Sequence, residues 1–182
     1  MISLVTGGAG FVGSHLTDNL IENGSKVIVI DNLSTGEEQN INKNADFIEG
    51  SLEEINLKKI FQKVDYIFHA AALPRIQPSF DRPEEHDVAN VQNTLKVLNA
   101  AKSNNVKKII YSGSSSVYGN PSEIPTSENA KANPLNPYSL QKYTAEQYGL
   151  LLGKKWDIPF LSLRYFNPYG ERSFNNKNPL NA

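Results

Sequence analysis

The sequence has no cysteine among its 182 residues, so disulfides, thiolate nucleophiles and cysteine-bound metals are excluded. Histidine is scarce too. The three present, His15, His69 and His86, form no spaced ligand cluster, so no metal is expected. Net charge is also missing. Lysine and arginine number 18 against 19 acidic residues, a balance of −1 that offers nothing to nucleic acid or an anionic membrane. No apolar run approaches the roughly 20 residues of a membrane helix. The first apolar run also lacks a basic leader and a cleavage site. A cytoplasmic protein with no nucleic-acid or membrane partner is expected. What remains, 39% hydrophobic and 20% charged residues, is the composition of one soluble globular domain able to bury a core.

That domain is organised around its first fifteen residues. Residues 2–5 form a short apolar run, as a buried strand would, and Gly7, Gly10 and Gly13 follow at spacings of three. From Phe11 and Val12 onward the pattern turns helical, continuing through Leu16, Leu20 and Ile21. A strand that passes through a tight glycine turn into a helix is how α/β folds build a pyrophosphate site. Gly7 permits angles closed to other residues, Gly10 lets the backbone approach the phosphates, and Gly13 lets helix and strand pack closely. The free N–H groups of the helix start then face the anion. Lys26–Asp31 reads as a second strand ending in an acid, eighteen residues after Gly13. A carboxylate there can accept both ribose hydroxyls of adenosine and would repel a 2′-phosphate, which favours NAD over NADP.

Strand-like and helix-like runs then alternate. A short strand is predicted at Asp46–Glu49 and a helix over residues 53–63, with Leu52, Ile55, Ile60 and Phe61 buried. Residues 66–72 read as a fourth strand passing into small residues, 84–104 as one long helix and 107–112 as a fifth strand. Residues 119–134 are a loop rich in Pro, Ser and Asn. Asn136 then caps a helix that Pro137 opens and that runs to about residue 154. Phe160–Tyr165 is a sixth strand. Six strands with helical crossovers require an α/β fold, a doubly wound and mostly parallel Rossmann-type sheet, with ligands at the carboxyl ends of the strands. The Asn-rich residues 175–182 are expected to fray.

The chemistry concentrates in two stretches. Tyr138 and Lys142 stand four apart, one turn along a common helix face. An ammonium beside a phenol stabilises the phenolate, as a general base at neutral pH requires. Just upstream, residues 112–119 place small hydroxyls at the carboxyl end of the fifth strand, with Ser114 the first candidate to hold a sugar oxygen.

These motifs together resemble the extended short-chain dehydrogenase/reductase family, and within it the NAD-dependent nucleotide-sugar epimerases and dehydratases. Thr6-Gly-Gly-Ala-Gly-Phe-Val-Gly13 is similar to the family's glycine motif, and Asp31-Asn-Leu-Ser-Thr-Gly36 to its adenosine-ribose loop. His69-Ala-Ala-Ala72 resembles the strand end beside the cofactor, and Asn90-Val the structural asparagine of the long helix. Ser114, Tyr138 and Lys142 match the catalytic set, and Arg164-Tyr-Phe-Asn-Pro-Tyr-Gly170 the sixth-strand motif whose Asn meets the substrate phosphates. The resemblance implies NAD contacts at Gly7, Gly10, Phe11, Val12, Gly13, Asp31, Asn32, Leu33, Ser34 and Gly36. It implies further cofactor contacts at Ser51, Leu52, Ala70, Ala71, Ala72, Asn90, Ser112, Tyr138, Lys142 and Tyr165. The sugar nucleotide is placed at Ser114, Ser115, Tyr138 and Asn167.

By the same resemblance Tyr138 takes the proton of the sugar 4-hydroxyl while carbon 4 is oxidised, Ser114 holds that oxygen, and Lys142 binds the nicotinamide ribose. Reduction of the rotated 4-keto sugar on its other face gives the C4 epimer. Dehydratases of the family carry an Asp-Glu pair after the catalytic hydroxyl; Ser115 and Ser116 stand there, which favours epimerase. UDP-glucose/UDP-galactose is the implied pair, beside N-acetylated and uronic analogues. A decarboxylase, reductase or dehydratase and a silent NAD-binding module are the alternatives. Two residues depart from the pattern. Ser51 stands where an Asp is common, which weakens the adenine contact, and Asn93 stands where a glycine is frequent. The family also carries a further C-terminal region that clasps the substrate. Residues 1–170 are therefore expected to be the NAD-binding domain, with 171–182 the start of a largely missing substrate domain. The resemblance also implies a homodimer, paired through the long helix and the one after Tyr138.

Overall fold

Alternation within β2 (Lys26–Asp31) decides how this molecule is layered. Val27 and Val29 face one way and pack with Val5 against Leu16, Leu20 and Ile21. Ile28 and Ile30 face the other way and join a larger core of Leu4, Phe61, Ile67, Val97, Leu98 and Ile109. A strand apolar on both faces needs cover on both sides, and that is the layer plan of a doubly wound α/β domain. The computed structural model describes residues 1–173. The predicted fraying of residues 175–182 lies outside the described residues.

With β2 the sheet comprises β1 (Ile2–Thr6), β3 (Asp46–Glu49), β4 (Tyr66–His69), β5 (Lys108–Ser114) and β6 (Phe160–Tyr165). Their order is β3-β2-β1-β4-β5-β6, and every neighbouring pair is parallel. The chain builds outward from β1 in one direction and then, from β4, in the other, which opens a crevice at the carboxyl ends of the strands. Register places Thr6 opposite His69, and Ser114 opposite Tyr165, at that edge.

The helices are α1 (Phe11–Glu22), α2 (Leu57–Ile60), α3 (Ile76–Asp81), α4 (Pro83–Asp87), α5 (Asn93–Lys102) and α6 (Pro137–Trp156). Three differ from the sequence reading. The helix expected over residues 53–63 is only α2 and a short 3-10 turn, Phe61–Lys63, because the Asn56 side chain accepts the Lys59 N–H and starts the helix there. The helix expected over 84–104 begins at Pro83 and is interrupted by a π-turn at Val88–Gln92. Helix α3 has no counterpart in the sequence reading. Pro78 falls in the first turn of α3, where its missing N–H has no intrahelical acceptor to lose. Strand β4 ends at His69 rather than at residue 72, and β5 runs two residues further, to Ser114.

Candidate active site

Between β1 and α1 the backbone at Gly7 turns with φ +72°, and a Cβ there would stand 2.7 Å from the Ala71 nitrogen. A Cβ on Gly13 would stand 2.1 Å from the Gly7 carbonyl oxygen. The turn is thus closed to any side chain at these two positions. Gly10 caps α1 without a side chain, and Phe11, Val12 and Gly13 face the crevice. The first-turn N–H groups have no intrahelical acceptor, so they offer an anion site. At the end of β2, Asp31 is buried, with one carboxylate oxygen accepting the Ala9 N–H at 2.9 Å and the other the Leu33 N–H at 2.8 Å. Each oxygen keeps a second lone pair for a ribose hydroxyl. Glycine cradle and fixed carboxylate fit the diphosphate and adenosine ribose of a dinucleotide without a 2′-phosphate. Asp31→Ala should shrink the preference for NAD over NADP by about tenfold, the worth of one hydrogen bond to a charged group. Titrating both nucleotides checks this, and an unchanged ratio would remove Asp31 as the discriminator.

Behind the cradle a buried polar chain holds the segment that leaves β4. The Thr94 hydroxyl donates to the Asn90 carbonyl at 2.8 Å, so it must accept from His69 Nε2, 3.0 Å away. Thr6 Oγ1 accepts the Ala71 N–H at 3.2 Å and gives its own proton to His69 Nδ1 at 2.7 Å. His69 is therefore the neutral Nε2–H tautomer, and complete burial holds its pKa down at about 3. The Asn90 side chain accepts the Leu73 N–H at 2.9 Å and donates to the Leu73 carbonyl and to Gln141 Oε1, each at 3.1 Å. Asn90 thus sits behind the wall, where it clamps Leu73, and is not itself on the cofactor face. Asn90→Ala would strand both Leu73 groups and is expected to cost about 1–3 kcal/mol. Denaturant unfolding reads this directly; an unshifted midpoint would dismiss the clamp.

The predicted catalytic residues stand on α6 and β5. Asn136 Oδ1 accepts the Ser139 N–H at 2.9 Å while Ser139 Oγ accepts the Asn136 N–H at 3.2 Å, a capping box with Pro137 just inside. This fixes Tyr138 in the first turn, where its N–H donates to Ser79 Oγ of α3 at 3.1 Å. Lys142, one turn on, is buried. Its ammonium donates to the Ser112 carbonyl at 2.8 Å and lies 4.7 Å above the Tyr111 ring. Burial pulls the Lys142 pKa down to about 7, while the carbonyl and the ring face favour the charged form and work against that. The expected lowering of the Tyr138 pKa by Lys142 is not what this arrangement gives. Burial raises the phenol's pKa, and the influences opposing it are the Ser114 hydroxyl and the positive charge of Arg75. Lys142 is held by β5 and not by Tyr138. Ser114 Oγ, at the end of β5, lies 2.8 Å from Ser116 Oγ and accepts the Ser116 N–H at 3.2 Å.

The glycine turn, Asp31, Ser114, Tyr138 and Lys142 open on one crevice of about 1290 Å³, more than the roughly 300–1,000 Å³ of a single drug-sized site. Every predicted site residue lines it except Leu33, Gly36 and Asn90. Gly36 instead packs the ribose loop against Ala9, where a Cβ would stand 2.8 Å from the Ala9 methyl. Leu33 turns with φ +55°. Tyr165 and Asn167 reach the crevice from the end of β6. The chain then returns over α1, with Arg172 paired to Asp18 at 2.7 Å and the Glu171 carbonyl 2.8 Å from His15 Nε2. No local pattern points to Arg75 on the wall, to Ser79 under Tyr138, or to the Thr6–His69–Thr94 chain.

Comparison with known proteins agrees with this geometry. The profile of the NAD dependent epimerase/dehydratase family matches residues 3–181. The UDP-glucose 4-epimerase of Lactobacillus helveticus is 35% identical over 173 residues, covering 93% of this chain and 52% of that protein. A UDP-glucose 4-epimerase of Thermotoga maritima solved with UDP-glucose superposes with a TM-score of 0.92 at 40% identity, over 96% of this chain and 58% of that one. A UDP-N-acetylglucosamine 4-epimerase of Methanobrevibacter ruminantium, solved with UDP-N-acetylmuramic acid, gives 0.91 at 39%, over 96% and 57%. The chain spans about half the length of the curated relatives it matches.

Proposed function

The chain belongs to the NAD-dependent epimerase/dehydratase family, and we propose that it forms the cofactor-binding part of an enzyme that inverts carbon 4 of a UDP-sugar of the UDP-glucose/UDP-galactose type. Its cofactor is NAD, which when bound supplies a reversible two-electron acceptor for carbon 4. The glycine cradle and Asp31 hold the dinucleotide's diphosphate and adenosine ribose. Tyr138 Oη, as phenolate, takes the proton of the sugar 4-hydroxyl and returns it after the sugar has turned over. Ser114 Oγ holds the 4-oxygen in both orientations. Lys142, anchored on the Ser112 carbonyl, offers its remaining protons to the nicotinamide ribose and adds positive charge to the wall that Tyr138 shares.

The observation that carries this reading is the opening of Ser114, Tyr138 and Lys142 on the crevice that the glycine turn closes, with Ser115 and Ser116 where elimination would need carboxylates. Residues 1–170 then form the NAD-binding domain and 171–182 the start of a substrate-binding region. Exposed Leu140, Tyr148 and Leu151 lie on one side of α6 and support a homodimer paired through that helix. Among the described residues no helix is long and apolar enough to cross a membrane, and we place the protein in the cytoplasm. A product assay on the full-length protein tests the reaction. Interconversion of UDP-glucose and UDP-galactose is expected; a 4-keto-6-deoxy product would sink the epimerase reading.

A further inference from the structure

Between β4 and α3 the chain passes through Arg75 with φ +96° and ψ +136°. A non-glycine residue is strained in that region, and such strain concentrates at ligand sites. Pro74 fixes the chain on one side and α3 on the other, so the guanidinium is set into the crevice wall that Tyr138 also lines. Its charge reaches the Tyr138 phenol. Arg75 Nε is buried and has no hydrogen-bond partner, and Arg75 makes no ion pair among the described residues. Three carboxylates line the crevice, but Asp31 accepts the Ala9 and Leu33 N–H groups, Glu85 is paired with Arg82 at 2.9 Å, and Glu53 accepts from Ser51 and Asn93. A buried donor without an acceptor is costly, and an acceptor carried by a ligand would relieve that cost.

Resting on the UDP-sugar reading, we propose that Arg75 is a specificity residue that reads a carboxylate carried by the hexose, so that the preferred substrate is an acidic sugar nucleotide, such as a uronate, over its neutral counterpart. The position of Tyr138 selects this class of anion. The phenol must meet the sugar's 4-oxygen, and in a pyranose ring carbon 1, which bears the diphosphate, lies opposite carbon 4. An anion within reach of a cation beside Tyr138 therefore belongs to a substituent on carbon 3 or carbon 5, and not to the diphosphate. Guanidinium and carboxylate match as a two-pronged pair, which a hydroxymethyl group cannot reproduce. A neutral hexose leaves the buried Nε unpaired.

The test titrates full-length, NAD-loaded protein with UDP-glucuronate and with UDP-glucose, for wild type, Arg75→Gln and Arg75→Lys. Wild type is expected to bind the uronate at least about tenfold tighter, the worth of one charge-assisted bond. Arg75→Gln should bring that ratio to within about threefold of one, and Arg75→Lys should keep part of it. A wild-type ratio of one or less, a preference that survives Arg75→Gln, or binding of neither sugar overturns the proposal. Because binding is read without turnover, the epimerase reading fails separately, when bound sugars keep their configuration at carbon 4 while the ratio still decides Arg75.

Discussion

Tyr138→Phe is expected to cut turnover of the full-length, NAD-loaded protein by about 10²- to 10⁴-fold, the usual worth of a positioned general base, while NAD affinity stays within about twofold. The substitution removes one oxygen and little else. The Tyr138 N–H keeps its bond to Ser79, the capping box of α6 is untouched, and Lys142 stays anchored on the Ser112 carbonyl. Turnover and cofactor binding are therefore separable, the first read by product formation and the second by titration. Retention of more than about a tenth of the activity would mean that another group takes the proton. The pH profile gives an independent handle. A base acts deprotonated, so kcat/KM rises with pH through the pKa of the phenol. Burial raises that pKa, while Ser114 and Arg75 pull it back. Ser114→Ala should therefore move the rising limb to higher pH; a shift to lower pH would contradict the electrostatics described above.

What the sequence disclosed and what it hid follow one physical division. Local signals carried far. A glycine turn between an apolar run and a helical pattern, an Asn-Pro helix start and a strand ending in Asp31 are each decided by residues within a few positions of one another. They placed the sheet and most of the crevice. Features that depend on partners distant in sequence stayed hidden. Asn90 reads the same whether it faces a ligand or clamps Leu73, and only the π-turn and the neighbouring Gln141 decide it. Lys142 at four residues from Tyr138 reads as a phenol's partner, yet the Ser112 carbonyl, 30 residues away, takes its ammonium. Helix α3 was hidden for another reason: proline is a breaker in mid-helix and harmless in a first turn, and pattern alone does not tell which.

Glu146 is the strongest instance of such a hidden residue. It stands on α6 one turn beyond Lys142, and its sequence context reads as the solvated face of an amphipathic helix. In the structure its side chain is 3% exposed and meets Arg164 of β6 in a two-pronged pair, 2.6 Å from Nη2 to Oε1 and 3.0 Å from Nε to Oε2. Ser162 Oγ donates to Oε2 at 2.7 Å, and the guanidinium lies 4.7 Å over the Tyr118 ring. The Glu146 hydrogen bond is the main influence holding the Arg164 pKa above its usual value. Glu146→Ala leaves the guanidinium without its counter-ion and the Ser162 hydroxyl without its acceptor. Breaking a buried pair from one side costs about 3–5 kcal/mol, and the 21% exposure of Arg164 places the expected loss toward the lower end. Denaturant unfolding of the single variant, set beside Glu146→Ala with Arg164→Met, measures it. The double variant should recover most of the loss, because it is the stranded charge, and not the absence of the pair, that is destabilising. A single-variant cost below about 0.5 kcal/mol would show the pair to be solvated. The consequence reaches the crevice through the sheet: Arg164 is in register with Gly113, and the next pair is Ser114 with Tyr165. Glu146→Ala should therefore weaken the hold on Ser114 as it weakens the fold, so its activity loss follows its stability loss, whereas Tyr138→Phe loses activity with stability intact.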